Sequence, residues 1–400
     1  MKIEYSSVLI RFGEIGIKSK QTRRRMTKML TEHIRSALDE NDVSYSAIRN
    51  EYSRIFADTK EAIRAAEIIA RVFGVVSTSP VVVASSELGD VLDTAEILAR
   101  ANFKQGLSFA VGARRIGEHE YSSQELRGRL GERLLEGNPD LNLRVDLKNP
   151  EQSIYVEVRD DTSHIFTETI KGVGGLPTGS QGKVVCAIST GLDSPVAAFK
   201  IIKRGAIPVF VYFDNSPHCN EKCTDVAIRQ AQVIANYIHN HTVKMYIVPH
   251  WPDLEDALRH GPEKMTCLFC KRNMMRIARE IALIEGADAI VTGEMIGEQA
   301  SQTTANLRVI DEAVVDFPIL RPLAGNDKVD ILRTAQEIGT YKFAEEGIKC
   351  CELAPKYPAV ASTVQKAIDA EETMDHEILK SELKQAQVLI LRKKPSEKLP

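Results

Sequence analysis

From Lys183 onward the chain alternates short apolar runs with amphipathic stretches, and few folds accept that pattern. Val184–Ile188, Pro208–Tyr212, Lys244–Val248 and Ala289–Thr292 read as strands; Pro195–Arg204, Asp225–His239, Arg272–Glu285 and Val329–Ile338 read as helices. Such alternation predicts a doubly wound parallel sheet, an α/β fold whose ligands lie beyond the carboxyl ends of the strands. The first run, Val184-Val-Cys-Ala-Ile-Ser189-Thr-Gly-Leu-Asp-Ser194-Pro195, passes from strand to small-residue turn to helix. Pro195 suits a first helical turn. Small residues let backbone N–H groups form an anion nest, and the helix N-terminus adds positive potential. Ser189 and Ser194 supply hydroxyls, and Asp193 supplies a carboxylate able to hold Mg²⁺ against phosphates. No Gly-Lys-Ser/Thr follows, so this is not a Walker A loop, and the glycine spacing is not that of a dinucleotide fingerprint.

The residues before Lys183 read differently. Ser7–Phe12 is strand-like and Thr22–Leu38 helical, and the segment around them is basic: Arg11, Lys18, Lys20, Arg23, Arg24, Arg25 and Lys28 are opposed only by Glu14. Cations in the first turns of a helix oppose its dipole, which leaves phosphate contact or a solvated face as their explanations. Residues 61–166 mix strands (Val75–Ala84, Ser108–Arg114, Leu143–Leu147, Ser153–Val158) with helices (Glu61–Phe73, Val91–Ala101, Ser122–Leu135) without regular βαβ spacing, which favours α+β. Arg114, Arg115, Arg127 and Arg129 add to the basic character there. The glycine-rich stretch Lys171–Gly182 reads as a linker, giving domains at 1–60, 61–166 and 175–400. With 43% hydrophobic and 27% charged residues the chain is globular, and its net charge of −3 neither demands nor excludes a nucleic acid. No apolar run approaches the ~20 residues of a membrane helix, and no export signal is read, so a cytoplasmic protein without a membrane partner is expected.

Seven cysteines, at 186, 219, 223, 267, 270, 350 and 351, fall in the last part of the chain. A chain this long needs no disulfide staples, and the odd count with tight pairs fits reduced thiols, metal ligands or catalytic sulfur. Cys186 reads as a buried small hydrophobe within its strand. Cys219 and Cys223, beside His218, read either as a metal or redox pair or as incidental loop thiols. His250 and Trp251 read as packing and capping residues.

The turn Ser189–Ser194 resembles the PP-loop of ATP pyrophosphatases, Ser-Gly-Gly-x-Asp-Ser, with Thr190 in place of the first glycine. A second stretch, Val291-Thr-Gly293-Glu-Met-Ile-Gly297-Glu-Gln-Ala-Ser301-Gln302-Thr303, follows a strand and reaches the same sheet edge. Together with Cys267-Leu-Phe-Cys270-Lys271-Arg272, Leu320-Arg-Pro-Leu323 and Lys349-Cys-Cys351, these motifs resemble the tRNA 4-thiouridine synthetase (tRNA sulfurtransferase) family over nearly the whole chain. Phe12-Gly-Glu-Ile-Gly-Ile-Lys18 resembles the opening of its ferredoxin-like domain. Phe109-Ala-Val-Gly-Ala-Arg-Arg115 with Ser122-Ser-Gln-Glu125 resembles its THUMP domain.

The resemblance implies ATP and Mg²⁺ as cofactors and tRNA as partner. Uridine 8 is adenylated at O4 and then receives sulfur from sulfide or a persulfide carrier; the same sulfur could also serve thiazole synthesis for thiamine. Ser189, Gly191, Asp193 and Ser194 match the phosphate loop, Ala187 and Ile188 the adjacent nucleotide contacts, and Tyr212 and Phe213 the adenine side. Lys271 or Arg272 is expected to neutralise phosphate, with Gly293 and Gln302 completing the site. Cys351 matches the family's catalytic-domain cysteine, with Cys350 its near rival. The stretch after Cys351 is too short for the rhodanese domain of one bacterial branch. Cys267-x-x-Cys270 resembles archaeal-type members in which two such cysteines and a distant third hold an iron–sulfur cluster. Three readings follow for the thiols: Cys267, Cys270 and Cys351 as cluster ligands; a Cys351 persulfide resolved by Cys267 or Cys270; and a zinc site completed by Cys350. Arg11, Lys18, Arg23–Arg25, Arg114, Arg115, Arg127 and Arg129 are the candidate tRNA phosphate contacts, and family members are homodimers by resemblance. Two rival functions are an adenylating ligase for a small molecule and a non-catalytic RNA-binding protein.

Overall fold

The computed structural model describes residues 4–51, 53–345, 351–375 and 377–391, which form two compact units meeting in sequence at Leu176 and Pro177. In the first unit, strand Ser7–Phe12 lies between Arg54–Asp58 and Val75–Ser85, antiparallel to both. Helices Lys20–Asp39 and Ala62–Ala70 bury Leu30, Ile34, Ala66 and Ile69 against Val8, Ile10 and Val75. Ser19 caps the first helix by accepting a bond from the Thr22 N–H. The first core therefore does not stop at residue 60: Ala62–Ala70 and the start of Val75–Ser85 close it, because strand Ser7–Phe12 would otherwise have one edge unpaired.

The long strand Val75–Ser85 couples two cores. Its second half pairs with Thr162–Phe166, and the sheet continues through Gln152–Arg159 to Ser108–Ile116, the last two parallel. Helices Leu88–Asn102 and Ser123–Gly137 bury Val91, Leu98, Leu126 and Leu130 on this part of the sheet, with Phe109, Ile154 and Val158 beneath. Of the expected strand Leu143–Leu147 only Arg144–Val145 pairs. Arg11 does not meet solvent as a phosphate contact should. Its guanidinium lies 3.6 Å from Glu157, 4.8 Å over the Phe166 ring and 3.0 Å from the Ser79 hydroxyl, so it neutralises a buried carboxylate. Arg23, Arg24, Arg25, Arg114, Arg127 and Arg129 are exposed, whereas Lys18 and Arg115 are half-buried.

In the second unit the sheet runs Ile319–Leu320, Ala289–Val291, Lys183–Ala187, Ile207–Asp214, Val243–Pro249 and Gln387–Leu391. All pairs are parallel except the last. The chain leaves the central strand Lys183–Ala187 toward one edge and returns past it toward the other. The switch point thus falls between Lys183–Ala187 and Ala289–Val291, where a ligand crevice is expected. The closing segment holds helices Val364–Glu371 and Glu377–Gln385 and the antiparallel strand Gln387–Leu391.

Helix Thr266–Glu285 begins six residues before its expected start at Arg272, so Cys267 and Cys270 occupy its first turns. This also reassigns Arg272. It is 1% exposed, donates from Nε and a terminal nitrogen to Glu371 at 2.7 and 2.8 Å, reaches Glu312 at 2.8 Å and bonds the Val309 carbonyl. Arg276 adds two bonds to the same Glu371. The arrangement clamps helix Val364–Glu371 and helix Thr304–Glu312 onto the Cys267 helix, and with four of its five N–H donors engaged in a buried position Arg272 does not face phosphate. Removing one member of a buried ion pair strands its partner, at a cost of about 3–5 kcal/mol. Arg272→Met is expected to lower the denaturant midpoint accordingly, while ATP binding by the folded fraction persists. Unchanged stability with lost ATP binding would return Arg272 to the phosphates.

Candidate active site

The phosphate loop is held from inside. Strand Lys183–Ala187 extends by one bond, Ile188 N–H to Val211 O, and the chain then turns. The Ser189 N–H donates to Ser194 Oγ at 2.8 Å, the two hydroxyls lie 3.0 Å apart, and the Gly191 N–H donates to Ser189 Oγ at 3.2 Å. From helix Cys223–Ala235, the buried Gln230 amide donates to the carbonyls of Thr190 and Gly191. With those carbonyls turned away and the Ser189 and Gly191 N–H groups held by hydroxyls, the start of helix Asp193–Ile202 is left as the loop's anion-facing side.

The Gly293 turn closes the other wall of the crevice. A Cβ on Gly293 would stand 2.6 Å from the Ser194 nitrogen and 2.9 Å from the Asp193 carbonyl carbon, so only glycine permits this approach. Gln302, on the turn Ala300–Gln302, is buried, and its Oε1 has no hydrogen-bond partner among the described residues. A buried amide oxygen without a partner costs free energy unless a ligand or water meets it.

Charges line the crevice in two groups. Asp193 accepts from the Lys328 ammonium at 2.7 and 2.9 Å, and Lys328 also binds Glu298. Burial raises the Asp193 carboxyl above its usual range, Lys328 pulls it back, and Glu298 pushes it up further. Lys328 heads helix Lys328–Ile338, far from Asp193 in sequence, and its role was not legible there. In the second group Lys271 binds Glu294 at 2.9 Å, and Arg321 joins Glu294 at 2.7 Å to Asp311. Burial pushes Glu294 up, but the two cations outweigh it and hold it ionised. Lys271, a quarter exposed or less, is thus the member of the Lys271–Arg272 pair that borders the crevice.

Tyr212 and Phe213 end strand Ile207–Asp214 and are both buried. Adjacent strand residues point to opposite faces, so the two rings cannot lie against one base. Phe213 joins the core with Val211 and Val248 and meets the His250 ring edge-on at 5.3 Å.

The thiols gather near the same carboxyl edge. Cys267 is pushed up to about 11 by burial and by its neighbours Cys270 and Cys351, with Lys271 opposing, so the three sulfurs lie within electrostatic reach. Cys270 Sγ is 3.5 Å from His250 Nε2, and His250 Nδ1 is 3.2 Å from Glu382 Oε2. Burial would lower the pKa of His250; Cys270, Glu382 and Asp253 together raise it well above the ordinary histidine value. His250 is therefore more than the packing residue expected, and neither it nor Glu382 carried a sequence signal. The Glu352 N–H donates to the His218 carbonyl at 3.1 Å, which brings Cys351 onto the loop of Cys219. Cys219 Sγ lies 3.5 Å from Ser216 Oγ and 3.8 Å from Asp214. Cys186 is fully buried in its strand, as read. Cys350 lies outside the described residues. The thiol donor set suits a soft metal centre. Among the described residues, however, no three His, Cys, Asp or Glu side chains are gathered to hold a metal ion.

Three family models match the chain in succession between residues 7 and 376. The ThiI ferredoxin-like domain covers residues 7–79, the THUMP domain 85–168, and the thiamine biosynthesis protein (ThiI) model 179–376. A probable tRNA sulfurtransferase of Methanosarcina mazei is 38% identical across 97% of this chain and 96% of its own. Another, of Methanobrevibacter smithii, is 36% identical across 93% of this chain and 97% of its own. Among solved structures, a 4-thiouridine synthetase–RNA complex with bound ATP superposes with a TM-score of 0.86 at 28% identity, covering 97% of this chain and 100% of its own. A protein of Pyrococcus horikoshii follows at 0.67 and 26%, covering 84% and 99%. With both chains matched over nearly their whole lengths, the protein belongs to the tRNA sulfurtransferase family.

Proposed function

We propose that the chain is an ATP-dependent enzyme that adenylates O4 of uridine 8 in tRNA, releasing pyrophosphate, and then replaces the adenylated oxygen with sulfur. The observation that carries this reading is the meeting of the phosphate loop and the Gly293 turn at the sheet's switch point, with Asp193 and Lys328 paired across it. The relative solved with both ATP and RNA supports the same pairing of substrates.

The backbone from Ser189 to Asp193 and the Ser194 hydroxyl cradle phosphate. Ala187 and Ile188 flank the nucleotide, and the Tyr212–Phe213 strand end borders the adenine. Asp193 would hold Mg²⁺ against the phosphates when the metal and ATP are bound. Lys328, released from Asp193, then faces the departing pyrophosphate, and Lys271 adds positive potential at the adenylated oxygen. Gln302 offers its amide to the nucleotide. Ferredoxin-like, THUMP and PP-loop domains succeed one another, and the exposed Arg23, Arg24, Arg25, Arg114, Arg127 and Arg129, with Lys18 and Arg115, meet the tRNA backbone. Phosphate contacts position an RNA of this size, while shape supplies the recognition.

For sulfur, Cys267, Cys270 and Cys351 would hold an iron–sulfur cluster. Such a group, held by those three thiolates, would supply an iron-bound site for sulfide. The contact of Cys270 with His250 favours a second reading, in which the thiols exchange sulfur as persulfide and disulfide.

Two measurements test these assignments. Pyrophosphate release from ATP is expected to rise on adding tRNA and not on adding small acceptors. Asp193→Ala and Lys328→Ala should each lower it about 100-fold, the usual scale for a lost charge-stabilising group. Stimulation by tRNA should fall steeply with salt, and replacing Arg23, Arg24 and Arg25 together by Gln should flatten that dependence. A salt-independent affinity would remove these arginines from the interface. Secondly, protein purified without oxygen should carry iron and acid-labile sulfide, both lost in Cys351→Ala. Iron-free enzyme of full activity would sink the cluster and leave the persulfide route.

A further inference from the structure

The chain has one tryptophan, and it is not in a core. Trp251 is 36% exposed, although an indole buries more apolar area than any other side chain. It opens helix Trp251–His260 directly after strand Val243–Pro249, which puts it at the carboxyl edge of the sheet. Its placement is supported from two sides. His250, the residue before it, touches Cys270. The His218 ring meets the indole edge-on with centroids 6.5 Å apart, and His218 is itself held by Glu255, one turn along the Trp251 helix, at 3.0 Å. The His218 carbonyl in turn accepts the bond from Glu352, next to Cys351. The indole thus lies against a histidine whose carbonyl binds the residue after Cys351, and it follows in the chain the histidine that touches Cys270.

A uridine within tRNA is stacked, and chemistry at its C4 requires that it leave the stack. An extruded base is held by aromatic faces, which compensate for the stacking it has lost. We propose that Trp251, fixed edge-on by His218, is the platform on which the target uracil lies, with its C4–O4 edge turned toward the thiols. This rests on the reaction proposed above and adds the residue that receives the base.

The single tryptophan makes the test direct. Indole emission of the wild-type chain is recorded while titrating a tRNA transcript with uridine at position 8, and again with the same transcript abasic at that position. Quenching that requires the base is expected; equal quenching by both transcripts, or none by either, would overturn the platform. Trp251→Ala should lower kcat/KM for 4-thiouridine formation about 5- to 150-fold, the equivalent of ~1–3 kcal/mol of base stacking. Its ATP binding and melting temperature should stay at wild-type values, and Trp251→Phe should recover most of the loss. Wild-type kcat/KM in Trp251→Ala would equally overturn it. If the wild-type protein forms no 4-thiouridine at all, the proposed reaction fails, while the emission titration still decides whether a base rests on Trp251.

Discussion

The second unit depends on one close approach. The backbone at Gly293 and the backbone at Asp193–Ser194 come together so tightly that a methyl group would not fit between them. Each turn follows a strand, and the two strands, Lys183–Ala187 and Ala289–Val291, are hydrogen-bonded neighbours. Parallel pairing therefore brings both turns to the same edge, and the reversal of strand order leaves a crevice there. The missing side chain makes the two turns walls of one site.

Charge is distributed around this contact before any ligand arrives. Lys328 neutralises Asp193, and Lys271 and Arg321 neutralise Glu294. A buried carboxylate left without a partner would take up a proton; the pairings hold Glu294 ionised and oppose the upward push of burial on Asp193. Asp193 can then exchange its lysine for a metal ion, which is a smaller reorganisation than charging a neutral acid. Arg272 stands beside Lys271 in sequence and does something else. A single residue step around the helix, about 100°, separates a crevice-facing ammonium from a guanidinium locked under helix Val364–Glu371.

The sulfur side follows from the same topology. Strands Ile207–Asp214 and Val243–Pro249 deliver the Cys219 loop and His250 to the carboxyl edge, and the start of helix Thr266–Glu285 brings Cys267 and Cys270 to it. Glu382 reaches His250 from a helix more than a hundred residues later. Its carboxylate stabilises the protonated ring in a fully buried position, so the Cys270 sulfur faces an N–H donor instead of hydrocarbon.

Much of this was legible in the residues themselves. Apolar runs of strand length, small residues at the turn and Pro195 specify a strand–loop–helix phosphate site, because those preferences are local. The same locality explains where the reading stopped. Helix Thr266–Glu285 begins ahead of the expected Arg272, and the added turns bury Leu268 and Phe269 in the core, a tertiary contact that local periodicity does not show. Arg11 and the arginines at 23–25 are alike in sequence. Only folding shows that one is packed against Glu157 and Phe166 while the others are exposed. Lys328, His250 and Glu382 gain their roles from partners distant in the chain, and no spacing rule records such a pairing. The sequence by itself determined the class of fold, the phosphate loop and the stock of thiols, since each is read from residue identity and local periodicity without knowing which distant segments meet. The tertiary structure decided which cations are structural, which carboxylates share a proton donor, and that the lone indole lies against His218, since those depend on which distant segments the sheet brings together.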